Sequence, residues 1–172
     1  HLLSRRQRQM CIRDRALAQY GIIVGSHILQ INDIKEERFN PMGVSDAELA
    51  ELHTKKFAVM DDAVGEKMQE RILQAKSELN SVGGVIEAIA LHLPAGIGAP
   101  YFDSVESMLS HALFSVPAVK GVEFGDGFGF ARLTGAEAND ALHYVDGKVK
   151  ALTNHNGGVT GGITTVSYTH LR

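Results

Sequence analysis

The chain has 172 residues, formal net charge −3, 44% hydrophobic and 22% charged residues. That is enough for one domain with a real core and is an ordinary globular composition. No apolar run approaches the roughly 18 residues of a membrane span; the single Cys excludes a disulfide framework or a four-cysteine zinc site, and the absence of Trp leaves no obvious base-stacking surface for nucleic acid.

The ends read differently from the middle. Residues 1–15, HLLSRRQRQMCIRDR, carry five Arg and show neither a helical nor an alternating apolar period. They lack the apolar region of a secretory signal, and their Arg content suggests a mitochondrial presequence only weakly. This segment and residues 166–172, VSYTHLR, read as non-native-looking flanks around a body at 16–165. Removing their six Arg and one Asp leaves 11 basic and 19 acidic residues, net −8. An acidic, cysteine-free body argues against nucleic acid or an anionic membrane as partner and suits a cytoplasmic protein.

In chain order, Ala16–Ile34 predicts a helix tail, a turn at Gly21 and a strand rich in β-branched residues. Gly25 within it marks a bulge or a close backbone approach. His27 is expected to be a plain strand histidine. Ser45 and Glu48 form a capping-box pattern opening a short helix through about His53. Asp61 opens the longest helix, with Val64, Met68, Ile72, Ala75 and Leu79 on one face and charges on the other. Gly65 should weaken it by roughly 1 kcal/mol relative to Ala.

Val85–Leu93 reads as a strand apolar on both faces, hence buried on both sides. Glu87 is out of place there, and an edge or rim position is expected for it. Leu93–Phe102 is a Pro/Gly loop. Asp103 or Ser104 caps a helix whose predicted buried stripe is Val105, Met108, Leu109, Ala112, Leu113 and Val116, stopped by Pro117. Val119–Phe130 is expected to be extended, and Ala136–Leu142 a short helix. Asp146-Gly147 signals a two-residue hairpin. Asn154–Gly162 holds four glycines in nine residues. Such a run can present backbone N–H groups to an anion. It lacks the order of a Walker or dinucleotide loop, and on spacing alone a plain mobile loop is the simpler reading. The six body histidines show no metal-ligand spacing, and Asp103, Glu123 and Asp126 show no acid–base pairing legible in the sequence. The order of elements is mixed α and β with antiparallel or mixed pairing.

Four separated motifs then stand out in order: SVGG at Ser81–Gly84, LPAGIG at Leu93–Gly98, FDSVESMLSHALFSVPAVKGVEFGDGF at Phe102–Phe128, and NHNGGVTGGI at Asn154–Ile163. Together they resemble the central region of chorismate synthase. The resemblance implies an α+β sandwich of antiparallel sheets and helices, incomplete in this chain. It implies a lyase of the shikimate pathway, serving aromatic amino acid biosynthesis. That enzyme removes phosphate from 5-enolpyruvylshikimate-3-phosphate by 1,4-elimination, giving chorismate. It needs reduced FMN and is usually a homotetramer.

Pro117 and Ala118 match a flavin-contacting pair of the family, and Gly161 a flavin-contacting glycine; His111 matches a family histidine without a catalytic role. Ala99 stands where the family commonly has an acidic residue. The family motifs Gly-Glu-Ser-His-Gly, Arg-Ser-Ser-Ala-Arg-Glu-Thr, Lys-Pro-Thr-Ser-Ser and Arg-His-Asp-Pro are absent, and no catalytic residue is assigned. The chain is therefore expected to be an internal fragment, inactive alone. The alternatives are a stand-alone flavin- or phosphate-binding module and a non-catalytic oligomerisation remnant.

Overall fold

A computed structural model describes residues 15–172; the amino-terminal flank, apart from Arg15, lies outside the described residues. The architecture is a four-stranded antiparallel sheet with two helices on one face. Its strands are β1 (Ile23–Ile31), β2 (Ile34–Lys35), β3 (Gly84–Leu91) and β8 (Thr169–Leu171), in the order β2-β1-β3-β8. The helices are α1 (Asp46–Thr54) and α2 (Asp62–Ser77). Two small hairpins follow, β4 (Leu142–Val145) with β5 (Lys148–Ala151), and β6 (Val159–Thr160) with β7 (Ile163–Thr164). Helix α3 (Val105–Phe114) stands between β3 and these hairpins in the chain.

Local chemistry explains the helix starts. Ser45 caps α1 reciprocally: its hydroxyl accepts from Glu48 N–H, and the Glu48 carboxylate accepts from Ser45 N–H. Asp61 caps α2 by accepting from the Ala63 and Val64 N–H groups. Gly65 exists for contact rather than for flexibility, because a Cβ there would lie 2.6 Å from Val59 Cγ2. Gly25 behaves similarly: its Cβ would lie 2.5 Å from Leu49 Cδ2, so β1 and α1 touch there. The β1 bulge itself falls between Ile28 and Gln30.

The core lies between the sheet and α1, built from Phe39, Val44, Leu49, Leu52, Ile89 and Leu91. Only one face of the sheet is buried. In β3 the side chains of Glu87, Ile89 and Leu91 point into the core, while Ile86 on the opposite face is 55% exposed. This corrects the expectation that β3 is covered on both sides.

Three other expectations change. Leu79 falls beyond the end of α2, in a left-handed conformation, and is 98% exposed. Phe124 makes one isolated bridge, and Gly127–Arg132 forms 3-10 turns rather than extended chain. Ala136–Leu142 is not helical. Asp146-Gly147 does form the expected tight turn, with φ of 51° and 76°, as a type I′ hairpin requires. Residues 166–172, set apart by their composition, supply β8, which pairs with β3.

Candidate functional site

The glycine-rich segment 154–162 is held at several points. The Asp140 carboxylate accepts from the His155 and Asn156 N–H groups, from the Asn156 amide and from the Thr153 hydroxyl. Burial alone would raise the Asp140 carboxyl, but these donors outweigh it and hold it below the usual range. Asn154 donates its side-chain amide to the carbonyls of Tyr168 and Pro41. The plain mobile loop read from spacing is thus a pinned one. A recess of about 290 Å³ beside it is lined by Asn139, Asp140, Asn156, Thr160 and Thr165, among others.

Gly161 and Gly162 form the turn of the β6–β7 hairpin, with φ of 62° and 84°. Their environments differ. A Cβ on Gly162 would lie 2.7 Å from Ser104 Cβ, and the Gly162 carbonyl accepts from Val105 N–H at 3.0 Å. Gly162 is therefore packed on the first turn of α3. Gly161 is exposed, with no atom within 4 Å of where a Cβ would sit.

Pro117 and Ala118 are both exposed, and Ala118 has φ of +72°. They follow the carboxyl end of α3, whereas Gly161 and Gly162 adjoin its amino end. Ten helical residues separate the two, about 15 Å at 1.5 Å per residue. The structure therefore keeps Pro117 and Ala118 together and sets Gly161 apart from them. The α3 stripe expected to be buried is mostly open: Val105 is buried, but Met108 is 56% and Val116 51% exposed.

The strongest electrostatic feature is one that sequence reading missed. Glu87 is fully buried in the sheet interior, not at a rim. Its Oε2 accepts from Phe39 N–H at 2.7 Å and from His27 Nε2 at 2.9 Å. Its Oε1 accepts from Arg38 Nε at 3.1 Å and lies 2.9 Å from His170 Nε2. His27 Nδ1 is 2.7 Å from Glu36 Oε2. Both His27 nitrogens thus face carboxylate oxygens, an arrangement that favours the doubly protonated ring. Phe39 adds an edge-on ring contact, with centroids 4.4 Å apart.

Burial alone would lower the His27 pKa, but its hydrogen bonds to Glu87 and Glu36 outweigh burial and raise it above the ordinary 6.5. Burial alone would raise the Glu87 carboxyl, yet the His170 and His27 rings and the Phe39 N–H hold it well below the usual range. The phase of β3 was the available signal, since Glu87 alternates in step with Ile89 and Leu91. Likewise His27 alternates in step with Gly25 and Leu29 on β1.

A pH dependence follows. A raised His27 pKa stabilises the fold fully below about 6.5, its ordinary value. That contribution is lost as pH rises through the folded-state value. A lowered Glu87 pKa stabilises above its ordinary 4.5 and is lost as pH falls through the folded value. Thermal midpoints measured across pH should peak between these limits and decline on the alkaline side; a midpoint still rising through mildly alkaline pH would contradict the His27 assignment.

Among the described residues no group of three or more His, Cys, Asp and Glu is arranged to hold a metal ion, and no helix is long and apolar enough to cross a membrane. The fold is thus of the α+β class, antiparallel sheet and helices with apposed glycine loops. Comparison with known proteins makes this specific. The family model for chorismate synthase matches residues 8–172. A chorismate synthase of Lancefieldella parvula is 37% identical, the alignment taking in 96% of this chain and 47% of that one. One of Chloroflexus aurantiacus is 40% identical over 88% of this chain and 40% of its own length. A solved crystal structure of chorismate synthase superposes with TM-score 0.83 and 26% identity, covering 93% of this chain and 51% of that one. The chain belongs to the chorismate synthase family, and it spans about half the length of the relatives it matches.

Proposed function

We propose that this chain is the central scaffold portion of a chorismate synthase. The protein so formed carries out the 1,4-elimination of phosphate from 5-enolpyruvylshikimate-3-phosphate to give chorismate. The observation that carries this reading is the family match over residues 8–172. In this reading Pro117, Ala118 and Gly161 contact reduced FMN, and the complete enzyme is a cytoplasmic homotetramer. The fit of the flavin rests on backbone: all three residues are exposed, and the space beside Gly161 is open. When bound, reduced FMN would supply the electron density that helps phosphate leave.

This chain's own residues give backbone surfaces at the two ends of α3. The substrate carries a phosphate and two carboxylates, which need Arg and Lys clamps. A chain of net charge −3 supplies little of that positive field. The chain alone should therefore give no chorismate when supplied with reduced FMN and substrate, and turnover above background would refute the inactivity. FMN titration of the same chain separates the cofactor question from turnover. Gly161→Ala costs only its left-handed backbone, about 1–2 kcal/mol, because nothing crowds the new methyl. Where FMN binds, that variant should weaken binding while the fold persists; unchanged affinity would remove Gly161 from the flavin site.

A further inference from the structure

Arg38 lies in the connection between β2 and α1, far in sequence from the glycine loop. Its guanidinium nonetheless reaches three groups on two other segments. Nε donates to Glu87 Oε1 at 3.1 Å, Nη2 donates to the Gly125 carbonyl at 3.2 Å, and Nη1 stands 3.6 Å from Asp126 Oδ1. The first contact is an anchor, since Glu87 is fully buried and is itself held by His27 and the Phe39 N–H. The other two grip the Gly125-Asp126 turn.

That turn is what the glycine loop rests on. Asp126 N–H donates to the His155 carbonyl at 2.8 Å, and Asp126 Oδ2 pairs with His155 Nδ1 at 2.6 Å. Gly125 backs directly onto Gly157: a Cβ on Gly157 would lie 2.8 Å from Gly125 Cα. A continuous polar path therefore runs from the sheet interior through Glu87, Arg38, Asp126 and His155 into segment 154–162. Donors spread over the three nitrogens of a planar guanidinium reach these separated groups together; an ammonium, whose donors share one nitrogen, reaches fewer of them.

We propose that Arg38 is a positioning residue for the glycine loop: it locks the Gly125-Asp126 turn to β3 and so sets where Gly161 stands. The locking itself is independent of any ligand. Only its consequence for flavin rests on the function proposed above.

Arg38→Lys and Asp126→Asn, made in the whole chain and followed by amide hydrogen exchange, test the lock at its two ends. Arg38→Lys keeps the charge and loses the fork. In both variants exchange at the Asp126 and Val159 amides should quicken about tenfold as the loop opens locally, with β1–β3 ladder amides within about twofold of the parent. A purely structural charge at position 38 would be rescued by Lys, leaving the loop amides unchanged; that result overturns the proposal. So does equal acceleration of loop and ladder amides, which marks general destabilisation. Should Arg38→Lys fail to fold, Arg38→Gln decides by the same two criteria, since Asp126→Asn also breaks the His155 pair. FMN titration of the variants adds the consequence: where the parent chain binds FMN, both should bind it more weakly. A parent chain that binds none counts against the flavin reading and leaves the exchange result to decide on Arg38.

Discussion

Glu87→Gln is expected to destabilise the fold by about 3–5 kcal/mol, the cost of breaking a buried ion pair by neutralising one partner. The substitution preserves shape, so the loss is electrostatic. An amide presents one acceptor oxygen and a pair of donors where the carboxylate receives His27, Phe39 N–H and Arg38. The remaining charges, His27 with Glu36 on one side and Arg38 on the other, are left without their shared counter-ion. Against a total of roughly 5–15 kcal/mol for a domain, this is a large fraction. Urea unfolding monitored by circular dichroism measures it, and the His27 ring should titrate at a lower pH in the variant by NMR. A loss below about 1 kcal/mol would place the pair among the weakly contributing surface type.

Gly125→Ala should cost about 2–5 kcal/mol, from two independent causes. The residue has φ of +56°, where an alanine loses roughly 1–2 kcal/mol. The methyl would also collide with the His155 carbonyl and lie 2.5 Å from Gly157 N, backbone that cannot rotate away. Overpacking of this kind adds roughly 1–3 kcal/mol. Gly161→Ala is the internal comparison, with similar φ and open space around it. Thermal unfolding of the pair should place Gly125→Ala well below Gly161→Ala. Equal midpoints would mean that the Gly125–Gly157 contact is not maintained in solution.

Features made by neighbours in sequence were legible. The Ser45–Glu48 box needs only residues three apart, and the Asp146-Gly147 turn only two residues with positive φ. The four motifs also led to the family without any three-dimensional information. What escaped was non-local. The partners of Glu87 come from β1 and from the segment before α1, so an acidic residue in an apolar run looked misplaced until they were assembled. Ala136–Leu142 shows the same failure in reverse. Thr134 and Glu137 make the reciprocal contacts of a helix start. But the Asp140 carboxylate is drawn to the backbone of His155 and Asn156, and the chain turns away instead of continuing a helix. The separation of Gly161 from Pro117 and Ala118 was likewise hidden, since spacing along a chain says nothing about which end of α3 each loop meets. Periodicity grouped apolar positions along α3 but carries no information about whether another element covers them, and half of that stripe is exposed.

The open stripe of α3 has a consequence for handling the protein. Met108 and Phe114 on α3, and Val116 just past its end, are exposed, and Ile86 is open on the free face of the sheet. Anything that covers such surface in the folded state, and not in the unfolded one, stabilises the fold by mass action. The unfolding midpoint of this chain is then not a constant of its sequence. It rises with the concentration of whatever settles on α3, further copies of the chain included, and a melting curve acquires meaning only alongside the dilution at which it was recorded.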